Sequence, residues 1–135
     1  MIVGLPTDYV GFYWHQLAPL ISKAMKKLKM QDLYSLEDIK ANLNDKVWNC
    51  WVYCPEKEKI SCVFITQLIQ YPAGKKVMSM ILAGGTGLNE WKDEVWDFFI
   101  DRAREKECQE IIFNGRAGWE RIYPFDVKKQ YSVKL

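Results

Sequence analysis

At 135 residues, with 49% hydrophobic and 27% charged side chains, the chain has room for one domain with a real core and is too apolar to be disordered. A formal charge of +2, with acids and bases mixed along the chain, points to neither nucleic acid nor an anionic membrane as partner. No apolar run has the length of a membrane span, no signal-peptide pattern opens the chain, and one histidine (His15) with four cysteines lacking a C-x-x-C pair gives no metal-ligand spacing. The expectation is therefore a soluble, metal-free domain with reduced thiols.

The first regular element is expected in residues 14–29, where Leu17, Leu20, Ile21, Ala24, Met25 and Leu28 recur at three-and-four spacing and mark an amphipathic helix. Proline is tolerated best in a first turn, so Pro19 places the start near Leu17 or Ala18, with His15 ahead of it. Lys23, Lys26, Lys27 and Lys29 crowd the far end, where cations suit the negative pole of the helix; a phosphate-binding patch is the alternative. Ser35-Leu-Glu-Asp38 reads as a capping box that opens a second helix running to about Asn44.

The period then changes. Val47–Cys54 alternates, Pro55–Lys59 is a charged turn, and Ile60–Gln70 completes an expected antiparallel hairpin in which Cys50, Cys54 and Cys62 pack as small hydrophobes. Val77–Ala83 is apolar almost throughout and has no ionisable side chain, as suits a strand in the middle of a sheet, covered on both faces. Gly84-Gly-Thr-Gly87 breaks it. A long helix from Asn89 to Lys106 follows, with Trp91, Val95, Phe98, Phe99, Arg102 and Ala103 on one face and Glu90, Asp93 and Glu94 at its start. Glu110–Asn114 reads as a short strand, Arg116–Tyr123 as a short helix or turn, and Val127–Leu135 as a terminal strand. The predicted order is α-α-β-β-β-α-β-α-β, a mixed α/β domain without repeats or linkers.

This order, with a glycine-rich break between an apolar strand and a long helix, resembles the acyl-CoA N-acyltransferase (GNAT) family over nearly the whole chain. The resemblance implies a mostly antiparallel central sheet flanked by helices. That family's cofactor loop reads Gln/Arg-x-x-Gly-x-Gly/Ala; Leu82-Ala-Gly-Gly85-Thr-Gly87 supplies both glycines and puts Leu82 where the polar residue stands. Such a loop bares backbone N–H groups at a helix N-terminus, which suits a pyrophosphate. The resemblance thus implies an acetyl-CoA site formed by Ile81, Leu82, Ala83, Gly84, Gly85, Thr86, Gly87 and Leu88, with Asn114 after the fifth strand and Tyr123 as the acid for the leaving thiolate. The alternative for the glycines is a tight exit from strand to helix. Gly115-Arg-Ala-Gly-Trp-Glu-Arg-Ile122 is also similar to the tail of small GNAT-like proteins of tailed bacteriophages, which implies residence in host cytoplasm or virion.

Three functions follow as expectations. The first is an acetyl-CoA-dependent N-acetyltransferase acting on a host or viral protein or a small amine. The second is a non-catalytic virion or assembly component that keeps the fold and docks through aromatics such as Tyr9, Phe12, Tyr13 and Trp14, for which a buried N-terminal strand or loop is the alternative. Nucleic-acid binding, through Lys23–Lys29 and Trp119 between Arg116 and Arg121, is the least supported of the three.

Overall fold

The computed structural model describes residues 1–114 and 125–135. In chain order its elements are β1 (Ile2–Leu5), α1 (Thr7–Phe12), α2 (Trp14–Lys27), α3 (Leu36–Asn44), β2 (Asn49–Tyr53), β3 (Cys62–Gln70), β4 (Lys76–Gly85), α4 (Leu88–Glu105) and β5 (Glu110–Phe113). The strands form one sheet in the order β1-β2-β3-β4-β5, antiparallel except for the parallel β4–β5 pair. A mixed α/β architecture with a mostly antiparallel sheet between helices is therefore as expected. The middle strand, however, is β3, and β4 lies one place further out.

Local chemistry explains most elements. The apolar stripe of α2 buries Leu17, Ile21, Ala24 and Met25, and Lys26 and Lys27 sit in its last turn. The helix begins at Trp14, three residues before Leu17, so Pro19 stands inside it and His15 in its first turn. Proline removes the donor that the carbonyl of His15 would receive, but both residues are exposed and water can replace it. In α3 the capping box is complete: Ser35 Oγ accepts from the Asp38 amide at 3.1 Å, and an Asp38 carboxylate oxygen accepts from the Ser35 amide at 2.8 Å.

The two faces of the sheet carry separate cores. Val10, Leu17, Ile21, Ile39, Val63 and Ile65 fill the space under α1, α2 and α3, whereas Phe64, Met78, Trp91, Val95 and Phe99 pack under α4. Strand alternation sorts them, since Val63 and Ile65 face one way and Cys62 and Phe64 the other. The aromatic core lies on the α4 side, where Phe64 meets Trp91 and Phe99 edge-on with centroids 5.5 Å apart.

Three expectations need correction. The N-terminal residues form β1 and α1, which sequence periodicity did not suggest because both are under two turns or four residues long. Val127–Leu135 forms no strand; Phe125–Leu135 runs without regular structure, and Val127, Tyr131, Val133 and Leu135 are exposed. Cys54 lies just beyond β2, not in it. The expected turn or helix at Arg116–Tyr123 and the Gly115–Ile122 motif fall outside the described residues.

Candidate functional site

The site begins with a mismatch between two strand pairings. Along β3–β4 the register runs from Leu82 opposite Ile65 to Met80 opposite Thr66, so Ile81 is an extra residue and β4 bulges there. The parallel β4–β5 pairing stops at Met80 opposite Phe113. From Ile81 to Gly85, β4 is held by β3 on one side and, among the described residues, by no strand on the other. The bulge therefore turns the second half of β4 away from β5 and opens a splay.

Two cavities meet at that splay and share Leu28, Met80, Ile81, Phe113 and Asn114. On the α4 side is an apolar slot of about 50 Å³ whose far wall is Phe64, Trp91 and Val95. On the α2 side is a mixed groove of about 1020 Å³, running over Val77 and Ser79 to Tyr71, Lys75 and Glu110. The slot has room for a few waters, while the groove is of ligand size.

The end of β4 and the turn after it are held more tightly than a bare anion site would be. A side chain at Gly84 would put Cβ 2.8 Å from Ala24 Cβ and 2.9 Å from the Leu20 carbonyl, so this glycine lets α2 lie against β4. Gly85 has φ +141, and a Cβ there would strike the Ser61 carbonyl and lie 2.6 Å from Cys62 Cα. Both glycines are accounted for by packing. Gly87 differs: it caps α4 in the left-handed region with φ 80 and ψ 30, and no side chain caps the helix. The Glu90 amide donates to the Gly87 carbonyl at 2.8 Å, so a ligand at this terminus would have only the amides ahead of Glu90 to meet.

Thr86 is engaged at both ends. Its N–H donates to the Ser61 carbonyl at 3.3 Å, and its own carbonyl accepts from Trp91 Nε1 at 2.7 Å and from Cys62 Sγ at 3.2 Å. Burial holds the Cys62 thiol above its ordinary range and so in the protonated form that donates. The indole of Trp91 is buried under the loop, and Leu82 is buried in the α2-side core. Glu90, Asp93 and Glu94 in the first turns of α4 add an acidic surface. Burial and then the carboxylates of Glu94 and Glu90 push the Tyr53 phenol upward.

Of the expected site residues, Ile81, Ala83 and Asn114 stand at the slot with Leu82; Gly84 and Gly85 do not break the strand as expected but end β4, paired with Val63 and Cys62, and only Thr86 and Gly87 lie between β4 and α4. Leu88 is the first residue of α4, and Tyr123 lies outside the described residues. A pantetheine arm needs an apolar slot beside an open strand edge; the edge of β4 from Ile81 to Gly85 supplies the second, while the slot as it stands is too small for the arm and would have to widen. The pyrophosphate half fits only through α4 and Gly87, because the Thr86 amide is already committed. Sequence reasoning missed Leu28, Trp96 and Phe113 as slot residues; nothing in their spacing marked them, because the splay that gathers them comes from the bulge. Among the described residues no group of three His, Cys, Asp or Glu side chains could hold a metal ion.

Known structures share this fold. A probable acetyltransferase superposes with a TM-score of 0.74 at 13% identity, covering 100% of this chain and 98% of that one. The fold is that of the GNAT acetyltransferases. Ribosomal-protein-alanine N-acetyltransferase from Brucella melitensis biovar Abortus 2308 gives a TM-score of 0.69 at 14% identity, covering 100% and 99%. A predicted acetyltransferase with acetyl-CoA from Clostridium acetobutylicum gives 0.64 at 11%, covering 100% and 94%. No family profile matches the sequence of this GNAT-fold chain, and no curated protein matches it.

Proposed function

We propose that this chain is an acetyl-CoA-dependent N-acetyltransferase of a tailed bacteriophage that acylates an amine on a host or viral protein. The single observation that carries the reading is the meeting of slot and groove at Met80, Ile81, Phe113 and Asn114. A transferase needs two entrances to one point, an apolar one for the acyl carrier and a roomier one for the acceptor. Acetyl-CoA, when bound, supplies the activated acyl group. The open edge of β4 from Ile81 to Gly85 orients the carrier's arm, Gly87 and Leu88 offer helix N-terminal amides to its phosphates, and Asn114 stands at the mouth. Tyr123 is assigned the proton for the leaving thiolate.

A second reading is a non-catalytic virion or assembly component with the same fold. It is favoured by a specific group of contacts: Trp91 tied to the Thr86 carbonyl, the Thr86 amide tied to Ser61, and Glu90 beside Gly87. Each narrows or repels what the first reading requires. Both share the fold and differ in one binding event.

Calorimetric titration with acetyl-CoA separates them, repeated on Asn89→Glu. A carboxylate in the first turn of α4 favours the helix, so the variant folds, yet it opposes a pyrophosphate. Micromolar binding that weakens in the variant supports the transferase. No heat at millimolar acetyl-CoA from folded protein overturns it and leaves the second reading.

A further inference from the structure

Among the described residues the helical layer on one face of the sheet is incomplete. Helix α2 covers the upper part of β4 through Ala24 and Leu20, but the lower part, with Val77 and Ser79, lies open in the large groove beside β5. Its floor is aliphatic and methionine-bearing, with Leu28, Met30, Leu33 and Ile81, a surface that adapts to varied side chains. The charge around it has one sign in excess. Residues 14–29 carry four lysines and no acid, and the last of them, Lys29, is exposed and stands in the chain between Leu28 and Met30, which both line the groove.

At the other end, Lys75 and Lys128 share the single carboxylate of Glu110, at 2.5 Å and 3.2 Å, so that cluster keeps a net positive charge. Lys129 and Asp126 line the groove next to it, so the lining holds three lysines against two acids. The opposite face of the molecule has the reverse sign: α4 exposes Glu90, Asp93, Glu94, Asp97 and Asp101 along successive turns. A field of this shape draws an acidic partner to the groove and turns it away from α4.

We propose that the groove binds an acidic, extended polypeptide segment, its apolar side chains on the floor and its carboxylates toward Lys29, Lys75 and Lys129. In the transferase reading this segment is the acceptor, and to that extent the inference rests on that reading. The binding itself needs no acetyl-CoA. A polypeptide fits better than a nucleic acid because the apolar floor of Leu28, Met30 and Ile81 takes side chains, and because a peptide can space its carboxylates to avoid Glu110 and Asp126 in the same walls whereas a phosphate backbone cannot.

The test is fluorescence anisotropy without acetyl-CoA, using a labelled twelve-residue peptide that alternates glutamate with leucine and alanine. Its lysine counterpart and a labelled oligothymidylate of equal length serve as competitors for the interpretation. The acidic peptide should bind, lose affinity as salt rises, and bind about tenfold more weakly to Lys29→Glu/Lys129→Glu, in which neither ion pair to Glu110 is touched. Asp93→Lys/Asp97→Lys, on the far face, should bind as the parent does. Equal affinity for the lysine peptide, tighter binding of oligothymidylate, an unchanged double-glutamate variant, or no binding at all would each overturn the proposal. Failure of the acetyl-CoA titration would leave this result standing, so the two readings fail separately.

Discussion

Substituting alanine at Gly85 tests whether the glycine loop is there for packing. The new Cβ would strike the Ser61 carbonyl, just ahead of β3, and sit 2.6 Å from both Cα and Sγ of Cys62, the first residue of β3, which cannot yield without disturbing its pairing with β4. Overpacking of this kind costs about 1–3 kcal/mol. A φ of +141 adds strain of about 1–2 kcal/mol for any residue with a side chain. The expected loss is about 3 kcal/mol, which for a chain of this length lowers the melting temperature by about 10 °C. Urea unfolding followed by circular dichroism measures it. Gly74→Ala is the control: φ is +101 but nothing lies within 4 Å, so only backbone strain remains, about 1 kcal/mol. Should Gly85→Ala cost no more than Gly74→Ala, the packing account is refuted and the glycine is free to serve a ligand.

Trp51→Phe removes the Nε1–H that donates to Thr66 Oγ1 at 2.9 Å and leaves a fully buried hydroxyl without it, so denaturant unfolding should report a loss of about 1–3 kcal/mol. Ser35→Ala deletes one half of the capping box and should cost about 1 kcal/mol by the same assay. Hydrogen bonds hold the Asp38 carboxyl below its ordinary range, first from the Ser35 backbone, and those from Lys75 and Lys128 do the same for Glu110. A group with a depressed folded pKa stabilises the protein above its unfolded pKa, and that contribution is lost as pH falls through the folded value. Thermal melts should therefore lose stability in the acid range below the ordinary carboxylate pKa, less steeply in Asp38→Asn. Burial pushes the Cys50 thiol up to about 12, so a thiol reagent at mildly alkaline pH should label Cys54 and Cys108 in the folded protein and leave Cys50 unmodified until unfolding, as peptide mass mapping would show.

What could be read from the sequence was whatever depends on neighbours along the chain. The stripe of α2, the capping box at Ser35, the β2–β3 hairpin and the exit from β4 into α4 are each written in one local window, and each was found within a few residues. The misses have a common physical cause. β1 and α1 are too short for a period to register, and β1 exists because β2 offers Leu5 to Ile2 a partner about fifty residues away. Val127–Leu135 failed in the opposite way: its alternation is real, yet alternation makes a strand only where an edge is offered. Phe125 meets Phe113 edge-on with centroids 4.8 Å apart and Lys128 reaches Glu110, and beyond that point β5 has ended.

The candidate site divides along the same line. The residues of the strand-to-helix loop were visible as a motif, but their roles were not, because Gly84 and Gly85 answer to Ala24, Leu20 and Ser61, which no motif contains. The splay depends on one extra residue, Ile81, whose only sign is a register change between Ile65 and Thr66. Deleting Ile81 isolates that residue's contribution. Without the bulge β4 would either continue straight beside β5 or shift every later side chain to the opposite face, moving Leu82 out of the core. The second outcome exposes a fully buried leucine and is the costlier, so the deletion should be a folded protein with a closed splay or no folded protein at all. Acetyl-CoA binding by a folded deletion variant would separate the cofactor site from the bulge and overturn the geometry on which the transferase reading stands.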